Sequence, residues 1–114
     1  MKTYFKVHFI EEVFLFLKSL EEKHSEKILY NIRKAQLEQD PKLFKKINDE
    51  IWEFRSLYNG IQYRILAFWD KTKEDETLVI ACHMFVKKRN KIPSKELQKA
   101  EQVKINYFNP KTDK

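Results

Sequence analysis

The sequence contains very little glycine, proline or cysteine, and it has no long uninterrupted apolar run. With one Gly and three Pro in 114 residues, it has no glycine-rich loop to hold phosphates, and we expect few turns between long regular elements. The single cysteine, Cys82, excludes an internal disulfide and a cysteine-based metal cluster, and its apolar neighbours favour a buried thiol. Since charges interrupt every apolar segment and the first residues lack a secretory signal pattern, we expect a cytoplasmic protein that does not cross a membrane.

Large apolar side chains and basic residues, by contrast, are abundant. Hydrophobic residues make up 42% of the chain and aromatics 14%, so we interpret residues 1–108 as one domain with its own core, followed by a polar tail, 109–114. The 23 Lys and Arg exceed the 17 Asp and Glu, which gives a net charge of +6. A basic run near the C-terminus contains Lys87, Lys88, Arg89, Lys91, Lys95 and Lys99. This run favours a polyanionic partner, although a solvated helix end with extra lysines gives the same pattern.

The periodicity of the apolar residues predicts the element order β-α-α-β-β-β-α and an α+β fold. The predicted strands are 4–9, 51–56, 61–69 and 77–86, the predicted helices begin near Ile10, after Ser25 and at Pro93, and a charged loop covers 70–76. Asn59-Gly60 predicts a tight hairpin turn, since this pair accepts positive φ angles. The three consecutive strands should form an antiparallel meander, with the two N-terminal helices and the C-terminal helix on one face and the other face open.

Glu53, Arg55 and Arg64 form the candidate catalytic group. Strand parity puts Glu53 and Arg55 on the same side of one strand, and we assume a hairpin register that brings Arg64 to the same face. This group suits RNA cleavage, because a carboxylate can assist proton removal from the ribose 2′-hydroxyl while guanidinium groups stabilise charge on the phosphate. The same residues also fit a cross-strand salt bridge on a solvated sheet face.

Two further candidates lie on the last predicted strand. His83 is a single histidine in an apolar strand, and it fits a hydrogen-bonded core position better than a catalytic one. Phe85 leads into the basic run, where an aromatic ring can stack on a base while lysines contact phosphates, but the same ring also fits the core. The sequence has no zinc-ligand cluster or nucleophile elbow. The residues alone therefore indicate a small basic α+β domain suited to RNA.

Four short blocks in the second half of the chain combine aromatic, acidic and basic residues. They are Ile51-Trp52-Glu53-Phe54-Arg55, Tyr63-Arg64-Ile65-Leu66, His83-Met84-Phe85-Val86-Lys87-Lys88 and Lys91-Ile92-Pro93. In this order they resemble the phage-derived branch of the RelE/HigB toxins of type II toxin–antitoxin systems, in which L-W-E-L-R, Y-R-I, H-G-F-x-K-K and K-T-P precede a final helix. The resemblance covers residues 43–108. Met84 replaces the usual glycine, and Ile92 replaces a threonine that would cap the last helix.

The resemblance implies a RelE-like fold and a ribosome-dependent mRNA endonuclease that needs neither a metal nor another cofactor. It implies that Arg55 and Arg64 stabilise the scissile phosphate and that Glu53 assists proton transfer. The implied RNA contacts are Lys87, Lys88 and Lys91. The implied partners are the ribosome, mRNA and an inhibitory helix-turn-helix antitoxin.

Two other functions are open for a chain with this pattern. A toxin of the same fold that binds a protein such as DNA gyrase, as the related ParE branch does, would need no chemistry at Arg55 or Arg64. A phage-derived binding or regulatory protein without toxicity would cause no growth arrest. Growth after expression and the effect of alanine at the two arginines distinguish these functions from RNA cleavage.

Overall fold

The computed structural model describes residues 3–72, 77–88 and 90–110, which form an α+β fold. Its elements are β1 (Lys6–Phe9), α1 (Glu11–Ser19), α2 (Glu22–Glu38), β2 (Phe44–Lys46), β3 (Trp52–Tyr58), β4 (Ile61–Asp70), β5 (Leu78–Lys87) and α3 (Ser94–Phe108). Arg89 of the basic run, part of the predicted charged loop (73–76) and the end of the predicted tail (111–114) lie outside the described residues. Within the described ranges, no helix combines the length and apolarity needed to span a bilayer.

All five strands join one mixed sheet in the order β1-β5-β4-β3-β2. β3, β4 and β5 form the predicted antiparallel meander, and the turn at Asn59 (φ 55°) and Gly60 (φ 77°) has the predicted positive φ angles. Two features correct the predicted antiparallel sheet: β1 pairs parallel with β5, and an additional strand, β2, pairs with β3. β2 is absent from the predicted strands, because a strand of three residues is too short to show a period.

Helices cover both faces of the sheet. α1 and α2 pack on one face, where Val13 and Ile28 join the larger apolar core. α3 packs on the other face, where Ala100 lies within a second, smaller core. The prediction that this second face is open is therefore wrong under α3, which carries an apolar stripe of its own. The face is accessible toward the β3–β4 turn, where Leu57 and Gln62 are exposed.

A β-bulge in β5 sets the direction of the polar side chains on that strand. Leu66 pairs with His83, but the next residue, Ala67, pairs with Ala81, so Cys82 is an extra residue between the two pairs. Cys82 and His83 consequently both face α3. Strict alternation would have put these two neighbours on opposite faces of the sheet.

Cys82 is expected to be unreactive in the folded protein. The residue is fully buried, its Sγ lies 3.9 Å from the carbonyl oxygen of Ala100, and burial raises the pKa of the thiol to about 12. Because the thiolate is the reactive form, we expect negligible reaction with an aromatic disulfide reagent near neutral pH, and release of one thiol per chain after unfolding. Rapid modification of the native protein, followed by absorbance, would contradict this burial.

Candidate functional site

β3, β4 and β5 present side chains in three rows on the face that α3 partly covers, and we call this surface the platform. The rows are Glu53, Leu66 and His83; then Arg55, Arg64 and Phe85; then Leu57, Gln62 and Lys87. Arg64 lies directly opposite Arg55 in the register. The assumption that Arg64 shares a face with Glu53 and Arg55 is therefore confirmed.

Glu53 pairs with both arginines through its two carboxylate oxygens. Its Oε1 lies 3.4 Å from Nε of Arg55, and its Oε2 lies 3.4 Å from Nε of Arg64. Arg64 also donates hydrogen bonds from Nη1 to the carbonyl oxygen of Tyr63 (3.1 Å) and from Nη2 to Oε1 of Gln62 (2.9 Å). In the part of the chain that the structure describes, Oε2 of Glu53 and Nε of Arg64 are buried without a hydrogen-bond partner. These two atoms are the ones that face each other at 3.4 Å, so Glu53 and Arg64 form a buried ion pair without an aligned hydrogen bond between them.

Burial distinguishes this group from a surface salt bridge. Glu53 is 2% exposed and Arg64 is 5% exposed, whereas the side chain of Arg55 retains 32% exposure. The cross-strand salt bridge that the residues also predicted is therefore present, but the prediction of a solvated face is wrong for Glu53 and Arg64. Arg55 is the member of the group that a ligand in solvent meets first.

Positive charge exceeds negative charge around this group. Burial lowers the pKa of Arg64, Glu53 opposes that shift, and Arg55 adds to it. Burial likewise lowers the pKa of Lys87, and three neighbouring cations act in the same direction, with Glu53 opposing them. The three cations are Arg64, Arg55 and Lys45. Because Glu53 offsets this repulsion only in part, the platform favours binding of an anion such as a phosphate.

His83 lies at the end of the platform that α3 covers. Its Nε2 is 2.6 Å from Oε1 of Glu96 on α3, and its ring stacks on Phe85 with centroids 5.9 Å apart. His83 is 6% exposed, so the prediction of a hydrogen-bonded core position is confirmed. Phe85 is also 6% exposed and belongs to the core under α3, which leaves little ring surface for a base.

Lys88 and Lys91 lie on a neighbouring surface. They line an open cleft of about 740 Å³ beyond the end of β5, together with Lys95 and Glu96 of α3. Lys87, in contrast, is in the third row of the platform, beside Gln62. The basic run that the sequence presents as one patch is therefore divided between two adjacent surfaces.

Two residues near the charged group were not predicted from the sequence. Gln62 accepts a hydrogen bond from Arg64, and Lys45 is the backbone register partner of Glu53 on β2 and helps to lower the pKa of Lys87. Gln62 could have been predicted, because alternation along the strand puts it on the same face as Arg64. Lys45 could not, because it lies on β2, the strand that is too short to predict. Among the described residues, no three His, Cys, Asp or Glu side chains are grouped as ligands for a metal ion.

Comparison with known families gives a match that covers most of the chain. Residues 15–104 match the family model described as phage derived protein Gp49-like (DUF891). The protein belongs to this Gp49-like family. The matched region contains β2 to β5 and therefore every residue of the platform. No curated protein and no solved structure matches the chain.

Proposed function

We propose that this Gp49-like protein is the toxin of a type II toxin–antitoxin pair and cuts mRNA on the ribosome in the bacterial cytoplasm. The observation that carries the proposal is the arrangement of Arg55, Arg64 and Lys87 around the buried carboxylate of Glu53 on an accessible part of the sheet. Membership of a phage-derived family and the similarity of the four sequence blocks to RelE/HigB toxins support it.

The proposed reaction is an attack of a ribose 2′-hydroxyl on the adjacent phosphorus. The bond from O2′ to phosphorus forms and the bond from phosphorus to O5′ breaks, which leaves a 2′,3′-cyclic phosphate and a 5′-hydroxyl. The 2′-hydroxyl loses a proton and the departing O5′ gains one. Arg55 and Arg64 stabilise the charge that develops on the phosphate, because guanidinium groups fit phosphate oxygens with two parallel donors.

Glu53 assists proton transfer in this proposal, and its burial requires a change on RNA binding. In the free protein its two oxygens face Arg55 and Arg64. A phosphate that binds the two guanidinium groups competes for the same cations and so releases the carboxylate. His83, paired with Glu96, is a second candidate proton acceptor at the edge of the same surface.

Lys87, Lys88 and Lys91 contact the RNA backbone or ribosomal RNA in this proposal, and Phe85 contributes a stacking surface if its ring moves outward. Lys87 is beside the arginines, and the other two lysines line the adjacent cleft. Lysines act on phosphates as point charges, so their contribution depends on salt and not on base sequence. A helix-turn-helix antitoxin inhibits the protein in this proposal.

Primer extension on a reporter mRNA after brief induction tests the proposal. We expect cuts that appear only when the message is translated, which a start-codon mutant of the reporter reveals. Growth arrest with intact message would indicate a protein target such as DNA gyrase instead of RNA. Intact message without growth arrest, from a folded product, would support a non-toxic binding protein.

A further inference from the structure

A second basic cleft adjoins the platform at the open edge of β3. It has a volume of about 490 Å³ and is lined on one side by Arg55, Gln62 and Arg64 of the platform. On the other side it is lined by Lys27 and Lys34 of α2 and by Lys42, which precedes β2. The described residues that line this cleft include five cations and no carboxylate.

Local structure explains why these lysines meet at the sheet edge. Lys27, Asn31 and Lys34 have the i, i+4, i+7 spacing that puts them on one face of α2. Nδ2 of Asn31 donates a hydrogen bond to Oγ of Ser56 (3.1 Å), which holds that helix face against β3. β2 pairs with β3 only from Trp52 to Phe54, so the part of β3 that follows Phe54 has no neighbouring strand on this side. These contacts bring the helix lysines beside the open strand edge.

Lys42 is held at the same edge by the backbone. The amide of Arg55 donates a hydrogen bond to the carbonyl oxygen of Leu43 (2.9 Å). The residue next to Lys42 is thereby fixed to the strand that carries Arg55. The three lysines of the cleft therefore lie on elements with fixed positions, next to Arg55 and Arg64.

The charges that line this cleft differ from those of another cleft that also contains lysines. Another cleft, of about 1030 Å³, also contains three lysines, but Asp49 and Glu50 line it with them. Its lysines are Lys46, Lys71 and Lys104. Lys46 lies 3.9 Å from Asp49, and Lys104 lies 3.4 Å from Glu50. In the described ranges, no carboxylate oxygen lies within ion-pair distance of Nζ of Lys27, Lys34 or Lys42, although Oδ1 of Asp40 accepts a hydrogen bond from the backbone amide of Lys42 (2.9 Å).

We propose that this cleft binds the phosphates of the RNA strand that flank the cleavage position, so that the RNA crosses the open edge of β3 between the platform and α2. The inference rests on the proposed function, since Arg55 and Arg64 line both surfaces and a single strand can occupy them together. A sugar-phosphate backbone repeats one negative charge per nucleotide, which matches a row of cations without acids. An acidic protein segment is the competing occupant.

The test compares two triple variants that remove the same charge from different clefts. K27Q/K34Q/K42Q removes the lysines of the proposed site, and K46Q/K71Q/K104Q removes those of the charge-balanced cleft. The probe is a fluorescent single-stranded RNA with 2′-O-methyl groups, which cannot be cut by 2′-hydroxyl attack. Its binding to the protein is measured by anisotropy over a series of salt concentrations, and circular dichroism confirms folding of each variant.

We expect K27Q/K34Q/K42Q to bind the RNA up to about 100-fold more weakly at low salt and to reduce the slope of log K against log salt by about 2, as expected for three lost phosphate contacts. The control triple should stay within about threefold of wild type, and K27R/K34R/K42R, which keeps the charge, should bind like wild type. Arginine at these positions also tests whether a change of side chain alone disturbs the cleft.

Three results would overturn the inference and one of them would also overturn the proposed function. An equal loss of RNA affinity in both glutamine triple variants would mean that RNA binding depends only on the net charge of the protein. Unchanged RNA binding by K27Q/K34Q/K42Q, with weaker binding of a poly-glutamate peptide, would assign the cleft to an acidic protein segment. In both cases translation-dependent cuts by wild type would leave the proposed function intact. Wild type that neither binds the RNA nor cuts translated mRNA would overturn both.

Discussion

Alanine at both Arg55 and Arg64 is expected to abolish cleavage of translated mRNA, with a fall in rate of at least about 1,000-fold. The two guanidinium groups lie opposite each other in the β3–β4 register and share one carboxylate, so both can reach the same phosphate. In the proposed reaction they stabilise charge that is greatest in the transition state, so we expect their loss to affect the rate more than ribosome binding. The measurement is the single-turnover cleavage rate on purified ribosomes.

Controls must separate chemistry from folding, because Arg64 is buried and its loss also affects stability. Arg55→Ala alone removes a side chain that is 32% exposed, and we expect it to fold normally and to cut about 100-fold more slowly. Arg33→Ala removes the same positive charge from an exposed position on α2 and should cut like wild type. A folded double variant that cuts translated mRNA at the wild-type rate would contradict the proposed role of both arginines.

The arrangement of Glu53, Arg55 and Arg64 was predictable to a large extent from local signals. Alternation along β3 put Glu53 and Arg55 on one side, and Asn59-Gly60 fixed a two-residue hairpin. A two-residue turn there pairs Arg64 with Arg55, and the observed register shows this pairing, which was an assumption at the level of the sequence. Strand parity and the turn residues are local properties and were predictable, whereas the register itself became known only from the structure.

Features that depend on distant residues were not predictable in the same way. The face of the sheet that carries Glu53 is partly covered by α3, which is far from Glu53 in the sequence. The direction of His83 depends on the bulge at Cys82, which breaks strict alternation without a glycine or proline to indicate it. The contact of His83 with Glu96 joins β5 to α3, and no period links the two positions.

The lysines beside the arginine pair show a third limit of sequence analysis. Lys27 and Lys34 have a clear helical spacing, but that spacing alone describes any solvated helix face. Their position beside the candidate site is visible only in the structure. The hydrogen bond from Asn31 to Ser56 holds α2 against β3, which puts this helix face next to Arg55. A charge pattern therefore indicates a candidate surface, while tertiary packing decides what that surface adjoins.

Glu53→Gln is expected to have the largest effect on stability, lowering the free energy of unfolding by about 3 kcal/mol. Glu53 offsets the two causes that lower the pKa of Arg64, burial and the nearby Arg55. With an amide in its place, the guanidinium of Arg64 stays buried without a countercharge, which is the costly way to break an ion pair. The measurement is unfolding by denaturant. Glu50→Gln removes an acid that is 62% exposed and paired with Lys104 at 3.4 Å, and should change stability by less than about 1 kcal/mol.

A second substitution shows whether the loss comes from the unpaired cation. Removing Arg64 as well, in Glu53→Gln, Arg64→Met, removes the buried charge, so this double variant should regain much of the stability that Glu53→Gln loses. It should nevertheless be inactive in cleavage, because the proposed reaction has lost both the carboxylate and one guanidinium. Stability that recovers in the double variant would show that the buried carboxylate supports Arg64. If Glu53→Gln were as stable as wild type, or if the two substitutions were additive, Glu53 would not support Arg64.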